Sequence, residues 1–112
     1  MTANKIGRDT REFDITIASG ETESPTFHLG EYMFGSYQLP SAFTGATVTI
    51  NFSNDGSNWT AVPTLTHESN PETVSADGTY LLPSLAAGAL AVQIVSASAE
   101  GAARTIKIYL KG

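Results

Sequence analysis

TINFSNDGSNWTAVP, residues 49–63, is the stretch on which the reading of this chain turns. Apolar and polar residues alternate through Ile50, Asn51, Phe52 and Ser53. The chain then meets Asn54-Asp55-Gly56, passes a lone Trp59 and resumes an extended pattern. Alternation with a period of two describes a strand with one buried and one wetter face. Asn and Asp side chains bond nearby backbone N–H groups, and Gly accepts positive φ without a steric cost. Asn54, Asp55 and Gly56 therefore predict a tight turn between two antiparallel strands. Trp59 is expected to open the returning strand, its ring over the end of the core and its N–H at the surface.

The same alternation recurs along the chain. Phe13, Ile15 and Ile17 form one set, Val48, Ile50 and Phe52 a second, Leu90, Val92 and Ile94 a third, and Ile106, Ile108 and Leu110 a fourth. Weaker strands are expected at 26–29, 32–39, 59–65 and 79–82. Turn signals separate them at Ser19-Gly20, Pro40-Ser41, Asn70-Pro71, Asp77-Gly78 and Ala87-Gly88. No helix is expected, since Gly88 interrupts the short Ala-rich stretch 85–91. About eight short strands in 112 residues predict one all-β domain, an antiparallel β-sandwich of jelly-roll type. That length buries enough surface for a core without staples. The domain is expected over residues 12–112, preceded by a polar, basic arm at 1–11.

Composition narrows the function. The chain has no cysteine, which excludes disulfides and thiolate metal sites. No signal-type or membrane-spanning apolar run is present, and the net charge of -5 argues against a general nucleic-acid binder. The sequons Asn51-Phe52-Ser53 and Asn58-Trp59-Thr60 are read as accidental without a secretory signal.

Charge is segregated. All six basic residues lie at the ends, as Lys5, Arg8 and Arg11 and as Arg104, Lys107 and Lys111. Between Glu12 and Ala103 there is no Lys or Arg. Two readings stand: terminal strands that pair and carry ordinary solvated cations, or a basic patch that docks on an acidic partner.

Catalysis finds little support. His28 and His67 are the only histidines, and no serine sits in a nucleophile-elbow pattern. Glu21 with Glu23, or Glu68 with Glu72, could pair carboxylates, but they fall in expected loops without an apolar pocket to raise a pKa. Asp55, Ser57 and Asn58 supply too few converging oxygens for calcium. The chain is therefore expected to be neither an enzyme nor a holder of metal or cofactor. Tyr32, Met33, Phe34, Tyr37 and Phe43 cluster in sequence and are expected in the core or at an interface between subunits.

The word Ser53-Asn54-Asp55-Gly56-Ser57-Asn58-Trp59-Thr60 resembles one found in small structural proteins of tailed bacteriophages. There too a strand enters the turn and the tryptophan follows it. Leu90–Ser96 and Arg104–Leu110 resemble later strands of those chains, so the similarity spans residues 45 to 112. The resemblance is strongest to the head decoration, or cement, proteins of short-tailed phages. It implies a jelly-roll protein on the outer surface of the virion head, assembled in the host bacterial cytoplasm, that stabilises the shell by bridging capsid subunits. The major capsid protein would be its partner, with a homodimer at a symmetry axis or a trimer as its own state. The basic residues at both ends would provide the contact. The same word also resembles discoidin-type carbohydrate- and lipid-binding domains. That second resemblance implies a carbohydrate-binding module of a phage fibre or adhesin as the alternative.

Overall fold

A computed structural model describes residues 10–30 and 32–112. Among these residues there are eight strands: β1 Thr10–Ile17, β2 Phe34–Gln38, β3 Thr47–Ser53, β4 Thr60–Ala61, β5 Glu72–Thr73, β6 Thr79–Leu81, β7 Ala91–Ser96 and β8 Arg104–Lys111. One sheet runs β1-β8-β2-β6. In the other, β3 pairs with β4 and β5 along one edge and with β7 along its other edge, all antiparallel.

Residues 22–27 lie along the free edge of β7. Ser24 N–H bonds to the Ile94 carbonyl, Phe27 and Val92 exchange two bonds, and Ser96 N–H reaches the Thr22 carbonyl. This segment occupies a strand position after β1, and β4 with β5 fill one position after β3. The eight positions then run 1-8-3-6 in one sheet and 2-7-4-5 in the other. That order is a jelly roll, two Greek keys folded into two facing sheets.

The alternation read from the sequence builds the core. Ile15 and Ile17 of β1, Val48 and Ile50 of β3, Val92 and Ile94 of β7, and Ile106, Ile108 and Leu110 of β8 are all buried. Apart from Gln93, their polar neighbours face outward, as period-two side chains on a sandwich do. Gly35 sits where β2 presses most closely on the core. A Cβ there would stand 2.7 Å from Leu82 Cδ1 and 2.8 Å from Leu110 Cδ2.

Several local readings differ from the structure. The expected strand at 59–65 has only Thr60 and Ala61 in its ladder. Val62 still donates to the Ile50 carbonyl, but Pro63 has no N–H with which to continue. Leu90 is exposed and precedes β7, because Asn54 Oδ1 accepts the Leu90 N–H and fixes the strand entry there. β7 is covered on both faces, with Ala91 and Gln93 buried as well as Val92 and Ile94. Residues 84–88 form a five-residue 3-10 helix rather than a simple turn. β5 was not expected. Its two residues follow Asn70, whose side chain bonds Ile50 N–H, the Ile50 carbonyl and the Val62 carbonyl. One amide thus takes the place of a ladder partner beside β3.

Candidate functional site

The Asn54–Trp59 turn is closed on itself. Ser53 Oγ accepts the N–H groups of Asp55 and Gly56 at 3.2 and 2.8 Å. Asp55 Oδ1 accepts Ser53 Oγ–H at 2.9 Å and the N–H groups of Ser57 and Asn58, each at 2.8 Å. Asp55 Oδ2 accepts the Asn58 side-chain amide at 2.7 Å. Gly56 takes φ +79°, which a Cβ would make costly. The N–H groups of Asn58 and Ser57, with the Asn58 and Ser53 side chains, hold the Asp55 carboxyl well below the usual carboxylate range. Four bonds from the loop itself thus engage the carboxylate. Trp59 is half-buried but stands apart from the core cluster, so it does not close the core's end.

The terminal cations separate into different roles. Lys5 and Arg8, with most of the expected arm, lie outside the described residues. Thr10 and Arg11, assigned to that arm by sequence, are strand residues here, because β8 extends to Lys111 and supplies their partners Lys111 and Leu110. The guanidinium of Arg11 lies 4.7 Å over the Phe13 ring, which in turn meets Phe27 edge-on. Arg104 is turned inward, and its Nε donates to Glu100 Oε1 at 2.9 Å. Glu100 is buried and also accepts Thr44 N–H and Thr44 Oγ–H. Burial works to raise the Glu100 carboxyl, but the bonds from Arg104 and Thr44 and the guanidinium's charge outweigh it and hold the group below its ordinary value. Arg104 is thus a clasp between the loops around Thr44 and Glu100. Lys107 and Lys111 stand on the outer face of the β1-β8-β2-β6 sheet. Lys107 lies 4.0 Å from Asp14, with both side chains exposed, so this pair adds little.

Among the described residues, the two histidines lie in different places. His28 Nδ1 donates to the Leu90 carbonyl. His67 lies beside a separate hollow with Glu68 and Glu72. Glu68 is engaged by Leu65 N–H and by the N–H and hydroxyl of Ser84, which lower its pKa. Among the described residues, no three His, Asp or Glu side chains come together as a metal site would require. No helix among them is long and apolar enough to cross a membrane.

What the outer face of the β1-β8-β2-β6 sheet does carry is exposed apolar surface. Tyr37 and Phe43 of the aromatic cluster are buried, whereas Met33, Phe34 and, from β6, Leu81 are 58, 55 and 79% exposed. Phe34 and Leu81 border a hollow of about 330 Å³ that reaches across to β1 and β8. Sequence reading left the cluster open between core and interface and gave Leu81 no role. The register separates the members: Tyr37, two residues after Gly35, points inward, and Phe34 points outward.

The fold is shared with a prophage-derived protein. The crystal structure of SPBc2 prophage-derived protein YomS superposes with a TM-score of 0.71 at 16% identity, over 94% of this chain and 95% of that one. At that identity the likeness speaks for the fold. A chain from Bacillus endospore appendages, described as a family of disulfide-linked pili, aligns at 18% identity over 92% of this chain and 85% of that one. Its TM-score of 0.36 is too low to bear on the architecture. No family model and no curated protein matches the chain.

Proposed function

We propose that the protein is a phage virion component that binds the outside of the head and stabilises it by bridging capsid subunits, without turnover of a substrate. The observation that carries this reading is where the β1–β8 pairing puts the two termini. Thr10 stands opposite Lys111, so Arg11 and Lys111 share one end of the sandwich. Arg11 and Lys111 thus bring cations from both ends of the chain to one end of the sandwich, with Glu12 beside them. The YomS likeness, which places a prophage-derived chain on the same jelly roll, is consistent with this reading.

In this mechanism, an acidic region of the major capsid protein meets the cationic end. Charge speeds encounter and sets register, and apolar contact supplies the residence time. Many copies on one shell act together, so a weak single contact still holds the lattice by avidity and mass action.

The test is co-sedimentation of purified protein with heads stripped of it by salt or mild heat. The expected result is rebinding at fixed stoichiometry, release by added salt, and weaker rebinding of the Arg8→Glu, Arg11→Glu double variant at an almost unchanged Tm. Failure to sediment with heads, or rebinding indifferent to both salt and the double variant, would overturn the reading.

A further inference from the structure

We infer that the outer face of the β1-β8-β2-β6 sheet is an isologous contact surface for a second copy of this chain, centred on Phe34 and Leu81. This deepens the proposed function and rests on it for biological use, but not for its test.

Cross-strand register shows how the face is made. On its outer side one row reads Glu12, Tyr109, Ser36, Leu81 across β1, β8, β2 and β6. The next row reads Thr10, Lys111, Phe34. Ser36 is small, and Tyr109, Leu81 and Phe34 stand around it. The result is a projecting apolar edge, Phe34 with Leu81, directly beside the hollow of about 330 Å³. Met33 continues the apolar surface, its N–H held by the Lys111 carbonyl. A Leu that is 79% exposed on a regular strand costs the isolated chain solubility and adds nothing to its own core.

The occupant follows from shape and charge together. In a two-fold contact the same patch meets itself, so each copy must offer both a projection and its complement. This face offers both, side by side. Its charges are also mixed: Lys111 and Arg11 line the hollow together with Glu12. A two-fold operation can set Lys111 of each copy against Glu12 of the other. Such pairing leaves Phe34 and Leu81 at the centre and the charges of Glu12 and Lys111 at the rim. The chain's own residues 1–9 read MTANKIGRD, with Met1 and Ile6 as the only large apolar side chains, and fill such a surface less well than a second Phe34–Leu81 edge. Burial of paired aromatic and aliphatic anchors at the centre, with charges at the rim, is the pattern of stable interfaces.

The experiment is sedimentation equilibrium of the full-length protein without heads, from about 1 to about 200 μM, a range that covers weak interfaces. A dimer is expected. Leu81→Lys should weaken it at least tenfold, because it places like charges across the two-fold. Phe34→Thr should weaken it similarly while keeping a good strand former. Leu90→Ser, at an exposed leucine outside this face, should leave association unchanged. Dispersed amide spectra confirm that each variant is folded. A wild type that stays monomeric, a trimer, a dimer indifferent to both face variants, or a dimer equally weakened by Leu90→Ser would overturn the inference. Head binding by a protein that is monomeric in solution would overturn this inference and leave the proposed function standing.

Discussion

The Asp55 turn and the Phe34–Leu81 face are both exposed, and they differ in what they leave unanswered. In the turn, the Ser53 and Asp55 side chains satisfy the backbone groups of Asp55, Gly56, Ser57 and Asn58, and the Asn58 amide finds the second carboxylate oxygen. The polar group that first suggests a ligand site is consumed in shaping the loop. On the face, Phe34 and Leu81 keep most of their surface in water, and nothing else in the chain covers it among the described residues. Among the described residues, open apolar surface is the better pointer to a contact site than polar atoms that already answer one another.

That contrast can be broken first at a saturated site that is also buried. Glu100 ties Thr44 to Arg104 from inside the protein. Glu100→Ala leaves the Thr44 N–H and the guanidinium without their acceptor and should cost about 3 kcal/mol in chemical denaturation. A loss under about 1 kcal/mol would show that water replaces the carboxylate and that the clasp is dispensable. The pH dependence tests the same group. The folded-state pKa of Glu100 lies below its ordinary 4.5, so its contribution is complete above that value and is lost as pH falls through the folded pKa. Tm should hold from pH 7 to about 5 and decline below 4.5, less steeply in Glu100→Gln.

Asp55→Ala sharpens the comparison at smaller amplitude. The turn is exposed, so water can answer the freed N–H groups of Ser57 and Asn58. A lower Tm by a few degrees is expected, with head binding unchanged. Loss of head binding at an unchanged Tm would reverse the assignment and make the turn a contact site.

How far the sequence was legible follows the same division. Strands with one buried face, such as β1 and β8, announced themselves through Ile15, Ile17, Ile106, Ile108 and Leu110. The turn announced itself because Asn, Asp and Gly each have a local reason to be there. β4 is shorter than the expected strand because Pro63 has no N–H to continue it, and β5 was missed because the Asn70 side chain, not a regular ladder, leads into it beside β3. β7 was misread at its entry because a distant side chain, Asn54, takes the Leu90 N–H and fixes where the strand begins. Of the six cations, sequence could group the termini but could not say that Arg104 turns inward to Glu100. Phe34 lay within an expected strand, but which neighbour pointed outward depended on register. A one-residue slip exchanges the two faces, so no composition rule could have placed Phe34 and Leu81 together.

The smallest expected effect on stability falls at that last pair, and it separates the two regions most sharply. Leu81 is the most exposed large apolar residue among those described, so its side chain contributes little to the folded monomer. Leu81→Thr keeps a β-branched strand former opposite Ser36. Measured at concentrations where the wild type is monomeric, unfolding stability should change by no more than about 0.5 kcal/mol in either direction. Raising the concentration should then stabilise the wild type and not the variant, because only the wild type gains from association by mass action. Parallel concentration dependence in the two would mean that the open apolar face is as self-contained as the Asp55 turn.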